Sequence, residues 1–152
     1  MKERCLVLIK PDALEKRLTG VILDRLERLE LDVIAAKALT PTEDLICAHY
    51  QHLAGKPFLE SVVRYMLGDY NPGAKRKILA FIFQGEDAVA KIRRTVGATN
   101  PNNAAPWTIR GNFGKVDAQA DIVYNCVHAS DNAQDAQREI ALWFEPQEVL
   151  DA

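Results

Sequence analysis

The sequence predicts an α+β fold: a four-stranded antiparallel sheet covered by helices, with an inserted helical hairpin and a long loop before the last strand. Three observations predict it. Apolar runs rich in Val, Ile and Phe recur at 5–9, 31–39, 78–83 and 122–127. Segments with apolar residues at helical spacing separate them. The resulting order is β-α-β, a helical hairpin, β-α-β and a closing helix, which doubles one unit.

Each element has its own signal. Residues 5–9 read as a buried central strand, stopped at Lys10-Pro11-Asp12 because proline cannot donate to a ladder. Leu18, Ile22, Leu26 and Leu29 follow helical spacing, with Thr19 as N-cap. Val33-Ile34-Ala35-Ala36 centres the second strand. Thr40-Pro41-Thr42-Glu43 reads as a capping box with proline at the first helical position. The helix it opens reaches about Leu53, Gly55-Lys56-Pro57 breaks it, and a second helix carries Phe58, Val62 and Tyr65. Loop residues 68–73 lead through the basic cluster Lys75-Arg76-Lys77 to the third strand. Val89, Ile92 and Val96 mark the next helix, and 97–121 shows little periodicity. A loop that long inside a compact domain is usually functional. The last strand reaches His128. Asp131 is the expected cap of the final helix, with Gln134 completing a box, and Pro146 ends it. The topology is ferredoxin-like, with helices mostly on one face and one domain over 1–152.

Composition narrows the function classes. The 48% hydrophobic and 26% charged content is ordinary for a soluble globule. A net charge of -2 gives no global field for nucleic acid or membrane. Cys5, Cys47 and Cys126 form no CxxC pair and no metal spacing, so a reducing, cytoplasmic setting is expected. Lys2, Glu3 and Arg4 lead straight into a strand, so no signal peptide is expected, and no apolar run nears the about 20 residues of a membrane helix.

The chemistry is expected around Asn125-Cys126-Val127-His128-Ala129-Ser130-Asp131. A histidine at a strand's end, before a helix start, stands where ligands meet such folds, and a neutral imidazole is a nucleophile at cellular pH. The competing reading is a hydrogen-bonded structural histidine. Lys10, Arg93, Arg94 and Arg110 stand at element ends or in loops, and such a set suits a phosphate chain. No GxxxxGK[ST] loop and no GxGxxG after a strand is present, so a phosphate site would be built from side chains.

The pieces that carry a family resemblance occur in order along nearly the whole chain. They are Ile9-Lys10-Pro11-Asp12, His49-Tyr50, Pro57-Phe58, Arg93, Gly97-x-Thr99-Asn100-Pro101 and Thr108-Ile109-Arg110-Gly111. Asn125-x-x-His128-x-Ser130-Asp131 and Glu139-Ile140-Ala141-Leu142-Trp143-Phe144 complete them. The chain resembles the nucleoside diphosphate kinases. The resemblance implies a ping-pong transfer of the γ-phosphoryl of a nucleoside triphosphate to His128 and on to a nucleoside diphosphate. It implies that Glu139 holds Nε2–H of His128, leaving Nδ1 to attack, with Ser130 beside that pair. Lys10 would touch the transferring phosphate and the sugar 3′-hydroxyl, and Asn125 that hydroxyl. Arg93, Thr99 and Arg110 would hold the distal phosphates, Tyr50 would lie beside the γ-phosphate path, and Phe58 would stack on the base. Stacking tolerates any base, so the implied substrates are broad: ATP, GTP, GDP and deoxynucleoside diphosphates. Mg2+ would come with the nucleotide, on its phosphate oxygens. Assembly as a tetramer or hexamer built from dimers is implied, without membrane or specific nucleic-acid partners. Tyr50 and Phe58 as plain hairpin core is the competing reading.

The chain departs from the pattern at Ala129, Trp107, Asn112 and His52, and carries insertions near 67–77 and 114–124. Val116 is the candidate for the apolar residue facing the base. Two other function classes remain: a non-catalytic nucleotide or phosphate sensor on the same fold, and an RNA-binding sheet that would use strand aromatics such as Phe81 and Phe83.

Overall fold

The computed structural model describes residues 2–151. The elements run β1 (Lys2–Ile9), α1 (Pro11–Glu15), α2 (Thr19–Glu27), β2 (Asp32–Leu39), α3 (Glu43–His49) and α4 (Leu59–Met66). Then come β3 (Ile78–Glu86), α5 (Ala88–Val96), α6 (Ile109–Phe113), β4 (Lys115–Asp117), β5 (Ile122–Tyr124), β6 (Val127–Ala129) and α7 (Ala133–Trp143). The main sheet has the order β2-β3-β1-β6, every neighbour antiparallel. This is the α+β, ferredoxin-like sheet the sequence predicts.

β1 is buried on both sides because its two faces feed two cores. Cys5, Val7 and Ile9 pack with Ile22, Leu26, Ile92 and Val96 of α2 and α5. Leu6 and Leu8 pack with Ile46, Met66 and Trp143 of α3, α4 and α7. Helices therefore cover both faces, not mostly one. The helical hairpin and α7 supply the second layer, and each large side chain they bury contributes about 1.5–3 kcal/mol.

One local expectation is extended and three are corrected. Lys10-Pro11-Asp12 does more than stop a strand: proline at the first position opens α1. The cap of α3 is Thr42, whose hydroxyl accepts from Leu45 N, so Pro41 lies outside the helix. The cap of α7 is Asn132, which accepts from Asp135 N, and no box with Gln134 forms. Asp131 is instead drawn to Arg93, 2.5 Å away. Thr19 begins α2 but does not cap it.

The last strand is broken in two. Cys126 sits at φ 68, a left-handed conformation costly for any residue with a Cβ. The Asp12 carboxylate holds the bend by accepting Cys126 N at 3.2 Å and the Tyr65 hydroxyl at 2.5 Å. The break turns Asn125 toward Lys10. Tyr65→Phe removes a hydrogen bond to a charged acceptor inside the core. It should cost about 1.5–3 kcal/mol in denaturant unfolding.

The region 97–121 is more ordered than its composition suggests. It holds a 3-10 turn at Pro101–Asn103, then α6, then the hairpin of β4 and β5. Two glycines are needed here. A Cβ on Gly97, at φ 91, would meet Thr108 Oγ1 at 2.4 Å, and one on Gly111 would meet Ala105 O at 2.0 Å. The 67–77 insertion is tied to α1 through Glu15, which accepts from Asn71 Nδ2 and Gly73 N.

Candidate active site

A cavity of about 730 Å³ opens between the helical hairpin, the 97–121 region and the broken strand. Lys10, Tyr50, Phe58, Arg93, Thr99, Arg110, Asn125, His128 and Glu139 all line it. Ser130, Arg94 and Val116, which the sequence also singles out, are not among its lining residues. Ser130 is fully buried behind the cavity, where its Oγ accepts from Leu6 N at 3.0 Å and its own N–H donates to Leu6 O. Ser130 thus ties the end of β6 to β1.

His128 sits in the middle of β6, paired across to Leu8 of β1. Its side chain keeps 16% exposure, enough for a ligand to reach it. Nε2 lies 2.5 Å from Glu139 Oε2, although the contact is not aligned as a hydrogen bond. Such contacts are often loose until substrate binds. A carboxylate is acceptor-only, so the ring proton belongs on Nε2 and the lone pair on Nδ1. Burial, then Lys10 and Arg110, hold the imidazole well below the usual histidine range. The ring is therefore neutral at cellular pH.

Glu139 is itself buried, and burial raises its carboxyl above the usual range. Nearby His49 and the Ser130 hydroxyl oppose that rise. In the sequence His49 stands out only as part of the His49-Tyr50 motif, yet it is the most informative neighbour. It ends α3, whose last carbonyls, Ala48 O and His49 O, accept from the Arg138 guanidinium of α7. Its ring lies edge-on to that of His128, centroids 4.4 Å apart. Trp143 Nε1 donates to its Nδ1 at 3.0 Å, and its Nε2 is 3.5 Å from Glu139 Oε2.

Ligand atoms of His49, His128 and Glu139 all lie within 4.8 Å of one another, and these are zinc-binding types. The tautomer argues against a metal there. Indole N–H is donor-only, so His49 Nδ1 carries the lone pair and Nε2 carries the proton. The nitrogen facing the trio has no lone pair to give.

Lys10 is buried and donates to Asn125 Oδ1 at 2.7 Å; Asn125 Nδ2 in turn donates to Thr99 O. Burial, reinforced by Arg110, pushes the ammonium down to about 7. The Arg110 guanidinium donates to Asn125 O, Gly97 O and Val127 O, three carbonyls from both banks of the cavity. Arg93 reaches in from α5, paired with Asp131.

The apolar side of the cavity carries Phe58, 47% exposed, with Val62 on its wall and Ile122 and Val123 from the β4–β5 hairpin. Val116 is not on that wall. It pairs with Val123 across the hairpin, and the residues its partner strand β5 sets there are Ile122 and Val123. Tyr50 contacts the His49 ring edge-on and lines the cavity, so it is no plain core residue. His52 also lines it, its ring centroid 6.2 Å from that of Tyr50. Trp107 stands 79% exposed on the loop before α6, and the Ala129 methyl is accommodated in the core. Phe83 is fully buried and Phe81 packs against the same core, so β3 presents no stacking platform for RNA.

Comparisons with known proteins agree with this geometry. The family model described as nucleoside diphosphate kinase matches residues 3–149. A nucleoside diphosphate kinase of Methanosphaera stadtmanae is 42% identical over 99% of this chain and 91% of its own length. Human nucleoside diphosphate kinase 3 is 38% identical over 97% of this chain and 80% of its own. Among solved structures, the Borrelia burgdorferi nucleoside-diphosphate kinase, a transition-state mimic with bound vanadate and ADP, superposes with TM-score 0.86. It is 30% identical and covers 99% of this chain and 92% of its own. A Halobacterium salinarum nucleoside diphosphate kinase in complex with CDP gives TM-score 0.86 at 33% identity, covering 100% and 93%. The chain belongs to the nucleoside diphosphate kinase family.

Proposed function

We propose that this chain moves the γ-phosphoryl of a nucleoside triphosphate to a nucleoside diphosphate by way of Nδ1 of His128. The observation that carries the route is the His128–Glu139 contact, set in a cavity rimmed by Lys10, Arg93 and Arg110. In the first half-reaction an N–P bond forms at Nδ1 as the bond from the γ-phosphorus to the bridging oxygen breaks. The nucleoside diphosphate departs with that electron pair. The ring becomes cationic, and Glu139 balances the charge through Nε2–H. The second half-reaction runs the same steps in reverse onto another diphosphate, so no net proton is needed. Phosphoryl transfer asks chiefly for alignment and charge neutralisation. Lys10, Arg93 and Arg110 supply the charge, Asn125 and Thr99 orient the ligand, and Phe58 offers the base a face.

The diphosphates bound in the two solved relatives, ADP and CDP, differ in base. That supports a substrate range set by the shared phosphates and sugar. Mg2+ takes oxygen ligands. Glu139 is flanked by two imidazoles and Asp131 is paired with Arg93. The reading therefore leaves magnesium on the nucleotide's own phosphates, where it neutralises charge. Residues 1–152 then form one catalytic unit that assembles as a homo-oligomer, with β2 at the edge of the sheet. A reducing, cytoplasmic setting suits three free cysteines, two of them buried. Among the described residues no helix is long and apolar enough to cross a membrane.

Incubation with γ-labelled ATP should give an acid-labile, alkali-stable phosphoprotein and ADP, and adding GDP should discharge the label as GTP. A nucleotide sensor on the same fold would bind ATP and take no label.

Lys10 gives an independent expectation. The free ammonium titrates near about 7, and a bound polyphosphate must raise that value. Nucleotide binding should therefore take up a fraction of a proton between about pH 7 and 8.5. Calorimetry in buffers of different ionisation enthalpy measures it. The uptake should vanish in Lys10→Arg, which stays charged throughout.

A further inference from the structure

We propose that His49 is a positioning residue for the transfer: a second N–H donor, its proton fixed on Nε2 by Trp143, that keeps Glu139 ionised and aimed at His128. The inference rests on His128 being the phosphoryl carrier.

The geometry is a chain of four groups. Trp143 Nε1 donates to His49 Nδ1, His49 Nε2 faces Glu139 Oε2, and the same oxygen faces His128 Nε2. His49 is 1% exposed and its Nε2 has no aligned hydrogen-bond partner among the described residues. An orphaned donor in a buried site is costly, and this one is aimed at a functional carboxylate. It cannot turn away. Flipping the ring would set its C–H against the indole N–H, and the backbone of α3 is held by Arg138. Nor can it act as a charge: burial and then His128 push it down to about 2, so it stays a neutral donor.

What a donor does to a carboxylate decides the role. Burial favours the protonated acid, and a protonated Glu139 could not accept Nε2–H of His128. A hydrogen bond given to the ionised form opposes burial. The other groups that act on Glu139 are His128, Ser130 and, from its own helix, Arg138 and Asp135. From the elements packed against α7, Cys5 of β1 and Tyr50 after α3 also face it, both kept neutral by burial. Among these, His49 and His128 alone are N–H donors within 3.5 Å of Oε2.

The test is the pH profile of phosphate exchange between ATP and GDP for wild type, His49→Leu, His49→Gln and Trp143→Phe. Removing the donor raises the Glu139 pKa, so the acid limb moves to higher pH. His49→Leu should shift that limb up by about one unit and so lower kcat about tenfold at pH values below the wild-type limb, with KM little changed. His49→Gln keeps an amide N–H and should restore both nearly to wild type. Trp143→Phe releases the tautomer and should shift the limb upward, though less. A limb unmoved in His49→Leu, with kcat lowered equally at every pH, would mean a packing role and overturn the inference. Should His49→Leu not fold, the other two decide. A shifted limb in His49→Gln beside an unshifted one in Trp143→Phe would also overturn it. The readings separate in wild type: no phosphohistidine there sinks the carrier itself, whereas normal labelling with an unmoved limb sinks only His49.

Discussion

His128→Ala should abolish exchange, by at least about 10⁴-fold in kcat, while the fold stays intact and nucleotide still binds. The size follows from what is lost. No other side chain among the described residues combines exposure to the cavity, a free ring nitrogen and a carboxylate brace on the opposite nitrogen. His49 is 1% exposed with its lone pair held by Trp143, so it cannot substitute. His52 lines the cavity too, but no ion pair or hydrogen bond with the described residues braces its ring; its ring contact is with Tyr50. Stability should change little, since His128 reaches the cavity and forms no aligned hydrogen bond. Steady-state exchange with thermal unfolding and nucleotide binding on the same preparation checks all three parts.

Arg110→Ala should fail differently, losing activity and stability together. The guanidinium joins the carbonyls of Gly97, Asn125 and Val127, which come from the loop after α5 and from both sides of the strand break. Deleting it takes the side-chain donor from Val127 O and Gly97 O, leaves Asn125 O with Val127 N alone, and removes a cation from the cavity. The expected cost is about 3 kcal/mol, or a fall of about 6–12 °C in Tm. The catalytic loss should be about 10²–10³-fold in kcat, the scale of removing one preorganised charge donor. Arg110→Lys should not rescue either, because a single ammonium cannot reproduce the planar fork toward three directions. Denaturation and exchange assays on both variants separate the two losses. A stable, inactive Arg110→Ala would show that the carbonyl contacts do not hold the loop.

The fold was legible where the signal was local. β1 and β3 are buried on both faces, and unbroken apolar runs announced them. Helices α2, α5 and α7 kept a one-sided apolar stripe. The misplacements share one cause, a competitor elsewhere in the chain. Thr40 and Thr42 are both able caps, as are Asp131 and Asn132; Arg93 drew Asp131 away. The strand break at Cys126 depends on Asp12, 114 positions earlier, and nothing near Cys126 announces it. The apolar wall that shares the cavity with Phe58 comes from β5 of the β4–β5 hairpin, and which of the two strands lies against the cavity is not local information.

The site was legible for another reason. Phosphate chemistry needs charged and nucleophilic side chains of fixed type, and these stand out in sequence even when far apart. Lys10, Arg93, Arg110 and His128 come from four different segments, and the fold brings all of them to one cavity. His49 was harder to see. A histidine beside a tyrosine at a helix end has no signature until Trp143, 94 positions away, fixes its proton.

The central claim concerns which nitrogen carries the phosphoryl group. Phosphorus NMR of the phosphorylated chain, with mass spectrometry to place the modified residue, measures it directly. The account predicts one phosphohistidine, at His128, with phosphorus on Nδ1 and Nε2 still protonated toward Glu139. Phosphorus on Nε2, or on any residue other than His128, would contradict it.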